Sequence, residues 1–189
     1  MRPEGSSTTI APSGEPLRVL LVKPYQPTRQ RIACPPLGLL YLASTLRKTF
    51  GADVEVRLLD LMVGQERYSA AREILRDFRP HVVGLSALNW EAEESGRFAL
   101  MTQTEFPGTV VAIGGPFAHR NTRKICATGV YDWIFDGEAD WAFPIACQRW
   151  FRGDRTMVFG PSARRFRVGN YLSSKLLLER PRGEFSSRR

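Results

Sequence analysis

The 189-residue sequence contains no long apolar run. Its apolar stretches all fall well short of the about 20 residues that a bilayer-spanning helix requires. The first sixteen residues, MRPEGSSTTIAPSGEP, are rich in Ser, Thr, Pro and Gly and lack the apolar centre of a signal peptide. We therefore expect a flexible lead over residues 1–15, no membrane partner and a cytoplasmic location.

Cysteines are few and widely separated. The three that occur, Cys34, Cys126 and Cys147, form no C-x-x-C or C-x-x-x-C-x-x-C spacing, so neither a zinc site nor an iron–sulfur cluster is predicted. We expect reduced thiols, as in a cytosolic protein. Cys147 falls within a helical pattern and is predicted to be a small core residue.

Three common phosphate-binding signatures are also absent. A dinucleotide-binding domain places G-x-G-x-x-G directly after its first strand, where this chain has KPYQPT. No G-x-x-x-x-G-K-[ST] loop occurs. A phosphorylated receiver domain has an acidic pair after its first strand and Asp after its third, whereas those positions here hold Lys23-Pro24 and Ser86. The sequence excludes these three functions.

Positive charge is abundant but confined to one end of the chain. The net charge is +8, and residues 152–189 hold nine Arg and one Lys against three acidic residues, a net +7. A folded domain over residues 16–151, followed by a basic, disordered tail over residues 152–189, is therefore predicted. Because the domain itself lacks a basic stripe, a nucleic-acid partner is disfavoured, and association through the tail is only a third hypothesis.

Predicted strands and helices alternate along the domain. Such alternation is typical of a parallel sheet covered on both faces, and right-handed crossovers then favour a flavodoxin-like (Rossmann-like), doubly wound, five-stranded α/β fold. The predicted strands are Leu17–Val22, Val54–Leu59, Val82–Ser86, Thr109–Ile113 and Tyr131–Phe135, and the predicted helices are Pro36–Phe50, Tyr68–Phe78, Glu91–Phe106, His119–Thr128 and Asp140–Phe151.

Ligands of an open doubly wound sheet bind beyond the carboxyl ends of its strands. The segments that follow strands one, three, four and five therefore predict a binding site at one sheet edge. Their neutral, glycine-containing composition favours a large, flat, neutral ligand over a polyphosphate. Taken alone, however, the Gly114-Gly115 pair is equally consistent with a tight turn that packs a strand against a helix.

Four stretches in register resemble the N-terminal cobalamin-binding domain of B12-dependent radical SAM proteins. They are PPLGLLYLA at Pro35–Ala43, VVGLS at Val82–Ser86, AIGGP at Ala112–Pro116 and DWIFDGE at Asp132–Glu138. Their order and separation extend the resemblance over nearly all of the predicted domain.

Cobalamin-binding domains in general carry D-x-H-x-x-G after the first strand, then S-x-L, then G-G. Ser86-Ala87-Leu88 matches the second element, and Gly114-Gly115 matches the third after an interval of 25 residues. The first element is missing, since no His lies between residues 17 and 80. The radical SAM branch similarly lacks this His, so the resemblance implies base-off cobalamin with no protein His ligand.

The resemblance implies a slot that holds the dimethylbenzimidazole tail of cobalamin. Ser86 and the two glycines would form the slot, Gly137 and Glu138 would line its far wall, and the segment around Pro36 would face the corrin with Tyr25. The predicted cofactor-binding residues are Tyr25, Pro36, Leu37, Gly38, Ser86, Leu88, Asn89, Gly114, Gly115, Pro116, Phe117, Gly137 and Glu138.

The sequence also departs from the family pattern. Phe117 stands where members often have His, and their G-E-G-E is Gly137-Glu138-Ala139-Asp140 here. Since C-x-x-x-C-x-x-C is absent, we expect a cobalamin-binding module that is not catalytic alone and needs either a radical SAM partner or the missing catalytic domain. The alternative is a degenerate or truncated fragment that acts only as an interaction module without cofactor.

Overall fold

The computed structural model describes residues 14–27, 34–63, 67–153 and 170–173. Strands and helices alternate as predicted, and short 3-10 turns precede the second strand and the third helix. The strands are β1 (Leu17–Lys23), β2 (Val54–Asp60), β3 (Val82–Ser86), β4 (Val110–Gly114), β5 (Trp133–Asp136) and β6 (Asn170–Ser173), and the helices are α1 (Leu37–Phe50), α2 (Arg67–Phe78), α3 (Ala92–Glu105), α4 (Pro116–Thr128) and α5 (Ala142–Phe151).

All strands pair in parallel, in the order β2-β1-β3-β4-β5-β6. The first five strands have the order of a flavodoxin-like sheet, which confirms the predicted fold. The sixth strand was not predicted. It lies within the segment expected to be a disordered tail, and Asn170 to Ser173 pair with Trp133 to Asp136 of β5. The rest of the tail and the lead over residues 1–13 lie outside the described residues.

Side chains of the central strands are buried on both faces of the sheet. In β1, Leu17, Val19 and Leu21 face the layer of α1 and α5, while Leu20 and Val22 face the layer of α2, α3 and α4. A continuous apolar run suits this environment, because successive side chains of a strand point to opposite faces. Cys147 of α5 is fully buried, in agreement with the predicted core position.

Helix α4 begins three residues earlier than predicted. It starts at Pro116, directly after Gly115, which has a φ of 87°. Proline suits this first position because it has no N–H to leave unpaired and its φ is already helical. Phe117 and His119 therefore lie on the first turn of a helix, and no loop separates β4 from α4.

Among the residues that the structure describes, no helix is both long and apolar enough to cross a membrane.

Candidate functional site

A cleft of about 520 Å³ opens at the carboxyl edge of the sheet, on the side of α1 and α5. The ends of β3, β4 and β5 form its floor, while the start of α1, the start of α4 and the loop between β5 and α5 form its walls. The lining residues are Gly38, Leu39, Leu42, Gly84, Leu85, Ser86, Ala112, Ile113, Gly114, Gly115, Pro116, His119, Arg120, Phe135, Gly137, Glu138, Ala139, Asp140 and Phe143.

Gly114 keeps space open in this carboxyl-edge cleft. A Cβ built at Gly114 meets only the Cβ of Phe135, at 3.6 Å, which is an ordinary van der Waals distance. The protein therefore has space for a methyl group at this position. A longer side chain at Gly114 is expected to extend into the cleft, because the residue lines it.

Gly115 has a different physical reason to be glycine. Its φ of 87° lies in a region that other residues adopt only with strain. A Cβ at Gly115 would lie 2.9 Å from Ser86 Oγ and 3.1 Å from the carbonyl oxygen of Ala87. Here the tight-turn interpretation applies, since the β4–α4 turn packs closely against the residues that follow β3.

Backbone hydrogen bonds join these two turns. The N–H of Ala87 donates to the carbonyl of Gly114 at 3.2 Å, and the N–H of Phe117 donates to the carbonyl of Ala87 at 3.0 Å. The S-x-L and G-G elements are thus parts of one hydrogen-bonded unit, although 25 residues separate them in the sequence.

Gly84 lies on the cleft floor and was missed by the sequence analysis. A Cβ there would lie 3.0 Å from Leu21 Cδ2 and 3.1 Å from Phe143 Cζ. Glycine in this strand therefore lets the Phe143 ring pack close to the sheet. The only sequence signal was a glycine inside an otherwise apolar strand, which is typical of a close approach.

Seven of the thirteen predicted cofactor-binding residues line the cleft, and six do not. The seven are Gly38, Ser86, Gly114, Gly115, Pro116, Gly137 and Glu138. Of the other six, Pro36 precedes α1, Leu37 is exposed on its first turn, and Leu88 and Asn89 lie in the turn after β3.

Tyr25 and Phe117 pack on the opposite face of the sheet. Both contact the core formed with α2, α3 and α4, and the guanidinium of Arg67 lies 3.7 Å from the centroid of the Tyr25 ring. Phe117 turns away from the cleft because α4 begins at Pro116, so adjacent residues of its first turn face different sides. The structure therefore does not place either side chain with the cleft residues.

Two polar side chains of the cleft come from the first turns of α4. His119 Nδ1 lies 2.6 Å from Asp136 Oδ1 at the end of β5, and this contact fixes the imidazole ring. Arg120 follows and lines the same wall. From the sequence, His119 was predicted only to begin a helix, and its partner lies 17 residues away in the chain.

A second wall of the cleft is acidic. Glu138 and Asp140 line the cleft in the loop between β5 and α5. Burial, followed by the charge of Glu138, raises the pKa of the Asp140 carboxyl above its usual range. Basic side chains from α4 and acidic side chains from the β5–α5 loop therefore line the same cleft, whose floor is mainly apolar.

Glu91 is buried behind the turn that follows β3, with 2% of its surface exposed. Its Oε2 accepts a hydrogen bond from the N–H of Leu88 at 2.8 Å, while Oε1 has no partner among the described residues. Burial raises the pKa of Glu91, against the opposing effects of the Leu88 N–H and of Lys23. Glu91 thus holds the S-x-L turn in place at an electrostatic cost.

The described ranges contain no group of three or more His, Cys, Asp or Glu side chains that could hold a metal ion. The titratable side chains that line the cleft are instead His119 and Arg120 of α4 and Glu138 and Asp140 of the β5–α5 loop.

An open parallel sheet with a cleft at its carboxyl edge defines a ligand-binding domain of the doubly wound class. Within this class, the B12 binding domain family matches residues 32–146, which is more than half of the chain. The chain therefore belongs to the B12-binding domain family, and cobalamin is its cofactor.

The chain is also similar to an uncharacterised methyltransferase of Pyrococcus horikoshii. The two are 28% identical over 136 residues, and the matched segment covers 67% of this chain but only 28% of the relative. The chain thus spans less than a third of the length of this curated relative.

The residues of the cleft fit part of a cobalamin molecule. Its volume of about 520 Å³ falls within the range of small-molecule pockets, roughly 300–1,000 Å³. Gly114 leaves unfilled space beside Ser86, and the apolar floor suits an aromatic ring with few polar atoms.

Proposed function

We propose that this chain binds cobalamin in the base-off form, with the dimethylbenzimidazole tail in the carboxyl-edge cleft. The observation that supports this proposal is the open space at Gly114, within a domain that belongs to the B12-binding family. Ser86 would offer its hydroxyl to the tail, and Gly137 would line the opposite wall. The chain would supply no His ligand to cobalt.

We further propose that the bound cofactor serves a radical SAM partner, and that this chain is not catalytic alone. Cobalamin supplies a cobalt centre that can carry a methyl group, and the similar protein of Pyrococcus horikoshii is described as a methyltransferase. A partner would approach the carboxyl edge, where three large apolar side chains are exposed. These are Leu37, Tyr41 and Trp141, at 72%, 63% and 74%.

Substitution of Gly114 by Leu tests the site. Wild-type protein mixed with hydroxocobalamin and desalted is expected to elute with cobalamin absorbance, and Gly114→Leu is expected to lose at least about tenfold in affinity, which is about 1.4 kcal/mol. The variant should fold, because a Cβ at position 114 makes only an ordinary contact. Unchanged affinity in folded Gly114→Leu contradicts the proposed site, and colourless wild-type protein supports the cofactor-free alternative.

Gly108→Leu is the matched control. Gly108 precedes β4 at the opposite edge of the sheet, and no atom lies within 4 Å of a Cβ built there. This variant should bind like the wild type. The electron paramagnetic resonance spectrum of bound cob(II)alamin, recorded in the same samples, tests the axial ligand. We expect no splitting from a nitrogen nucleus, and a threefold nitrogen splitting contradicts the base-off, His-free assignment.

A further inference from the structure

The two walls of the carboxyl-edge cleft differ in charge. Arg120 and His119 lie on α4, where His119 is paired with Asp136, and Glu138 and Asp140 lie in the loop between β5 and α5. The floor between them is formed by glycine, alanine and large apolar residues. A negative group of a ligand is therefore favoured beside Arg120, and it is repelled by Glu138 and Asp140.

The nucleotide tail of cobalamin carries one such group, a phosphodiester. An anion that leaves water for a mainly apolar cleft needs a charged or hydrogen-bonding partner. The backbone of α4 offers few donors, because Pro116 has no N–H and the N–H of Phe117 already donates to Ala87. A side chain must then provide the contact.

His119 and Arg120 differ in their ability to donate a hydrogen bond to the phosphodiester. One ring nitrogen of His119 is already held by Asp136, so the other donates to an anion only when the ring carries both protons. Arg120 instead presents a guanidinium with several N–H donors in a plane that matches phosphate. The described residues place no carboxylate within ion-pair distance of Arg120.

On this basis, and resting on the proposed cobalamin site, we infer that Arg120 binds the phosphodiester of the cobalamin tail. Glu138 and Asp140 would repel the same group, which favours its placement beside Arg120. Arg120 thereby distinguishes cobalamin from corrinoids that lack the nucleotide.

The test compares two ligands and two variants by quenching of intrinsic tryptophan fluorescence. Hydroxocobalamin carries the phosphodiester, and hydroxocobinamide has the same corrin without it. Arg120→Gln is expected to weaken hydroxocobalamin binding at least about tenfold, because charge-assisted hydrogen bonds contribute about 1.5–3 kcal/mol. It should leave hydroxocobinamide binding unchanged. Wild-type affinity for hydroxocobalamin should also fall with added salt more steeply than that of the variant.

Arg123→Gln is the matched control. Arg123 lies on the same helix, carries the same charge and is exposed, but does not line the cleft. It should bind both ligands like the wild type. The inference is overturned if Arg120→Gln binds hydroxocobalamin as tightly as the wild type does. It is also overturned if Arg120→Gln loses the same affinity for both ligands, or if Arg123→Gln weakens hydroxocobalamin binding as much as Arg120→Gln does. Failure of the wild type to bind either corrinoid overturns the proposed function itself and is thus a separate outcome.

Discussion

At the scale of single residues, the paired glycines 114 and 115 have different causes. Gly114 lines the cleft and has space beside it, whereas Gly115 has a positive φ and lies against Ser86 and Ala87. The sequence presents both as one motif. The two glycines differ in what a Cβ would meet. At Gly114 it would point into open space for a ligand, and at Gly115 it would meet the neighbouring turn.

This difference predicts that alanine destabilises the protein at position 115 and has little effect at position 114. Gly115→Ala should lower the free energy of unfolding by about 1–3 kcal/mol, because the new methyl group meets Ser86 Oγ and the φ is unfavourable. Gly114→Ala should change it by less than about 1 kcal/mol. Urea unfolding followed by circular dichroism measures both, and an equal loss in the two variants contradicts the assignment.

Glu91 predicts a specific dependence of stability on pH. Because burial raises its pKa in the folded state, the folded protein holds the proton to higher pH than the unfolded chain does. Its contribution to stability is therefore full below the usual pKa of a glutamate and is lost as pH rises through the raised value.

Glu91→Gln should remove the loss of stability that the wild type shows as pH rises. Above the usual glutamate range the variant should be more stable than the wild type, by on the order of 1 kcal/mol, since no charge is buried there. Thermal unfolding measured between pH 4 and 8 gives the difference between the two proteins at each pH. A difference that stays constant, or that shrinks as pH rises, contradicts the argument.

At the scale of elements, β6 completes the sheet beside β5. Its four residues pair with the whole length of β5, whose apolar side chains are buried. The sequence of this basic segment shows no regular alternation of apolar and polar residues, so it did not predict a strand. A short strand is stabilised mainly by the strand with which it pairs.

Two truncated chains test the contribution of β6. A chain that ends at Ser173 keeps the strand, and a chain that ends at residue 169 lacks it. Loss of four cross-strand positions should lower the free energy of unfolding by on the order of 1–3 kcal/mol. The exposed edge of β5 should also promote aggregation. Identical urea midpoints and identical solubility of the two chains argue against the pairing.

Also at this scale, the start of α4 determines which residues face the cleft. Because the helix begins at Pro116 and not at His119, Phe117 packs on the opposite core and His119 meets Asp136. The proline after two glycines was a usable signal for this start, since proline is favoured at the first position of a helix. The predicted roles of Phe117 and Tyr25 beside the cofactor stay predictions that the cleft geometry does not support.

At the scale of the whole molecule, exposed apolar side chains and charged side chains lie together at the carboxyl edge of the sheet. Apolar side chains such as Trp141 and Leu37 are exposed there, and the two cleft walls carry opposite charge. Most of the basic tail lies outside the described residues, so association with nucleic acid and disorder of the tail stay predictions. The cytoplasmic location likewise stays a prediction.

The sequence by itself determined the order and type of the first five strands and the membership of the B12-binding family. These features could be predicted because apolar periodicity and short motifs involve residues that are close together in the sequence. Only the tertiary structure decided which residues after each strand share the cleft, why Gly115 differs from Gly114, and that Arg120 lines the same cleft as Glu138 and Asp140. These relations depend on side-chain direction across strands and helices that are far apart in the chain, and no local pattern encodes them.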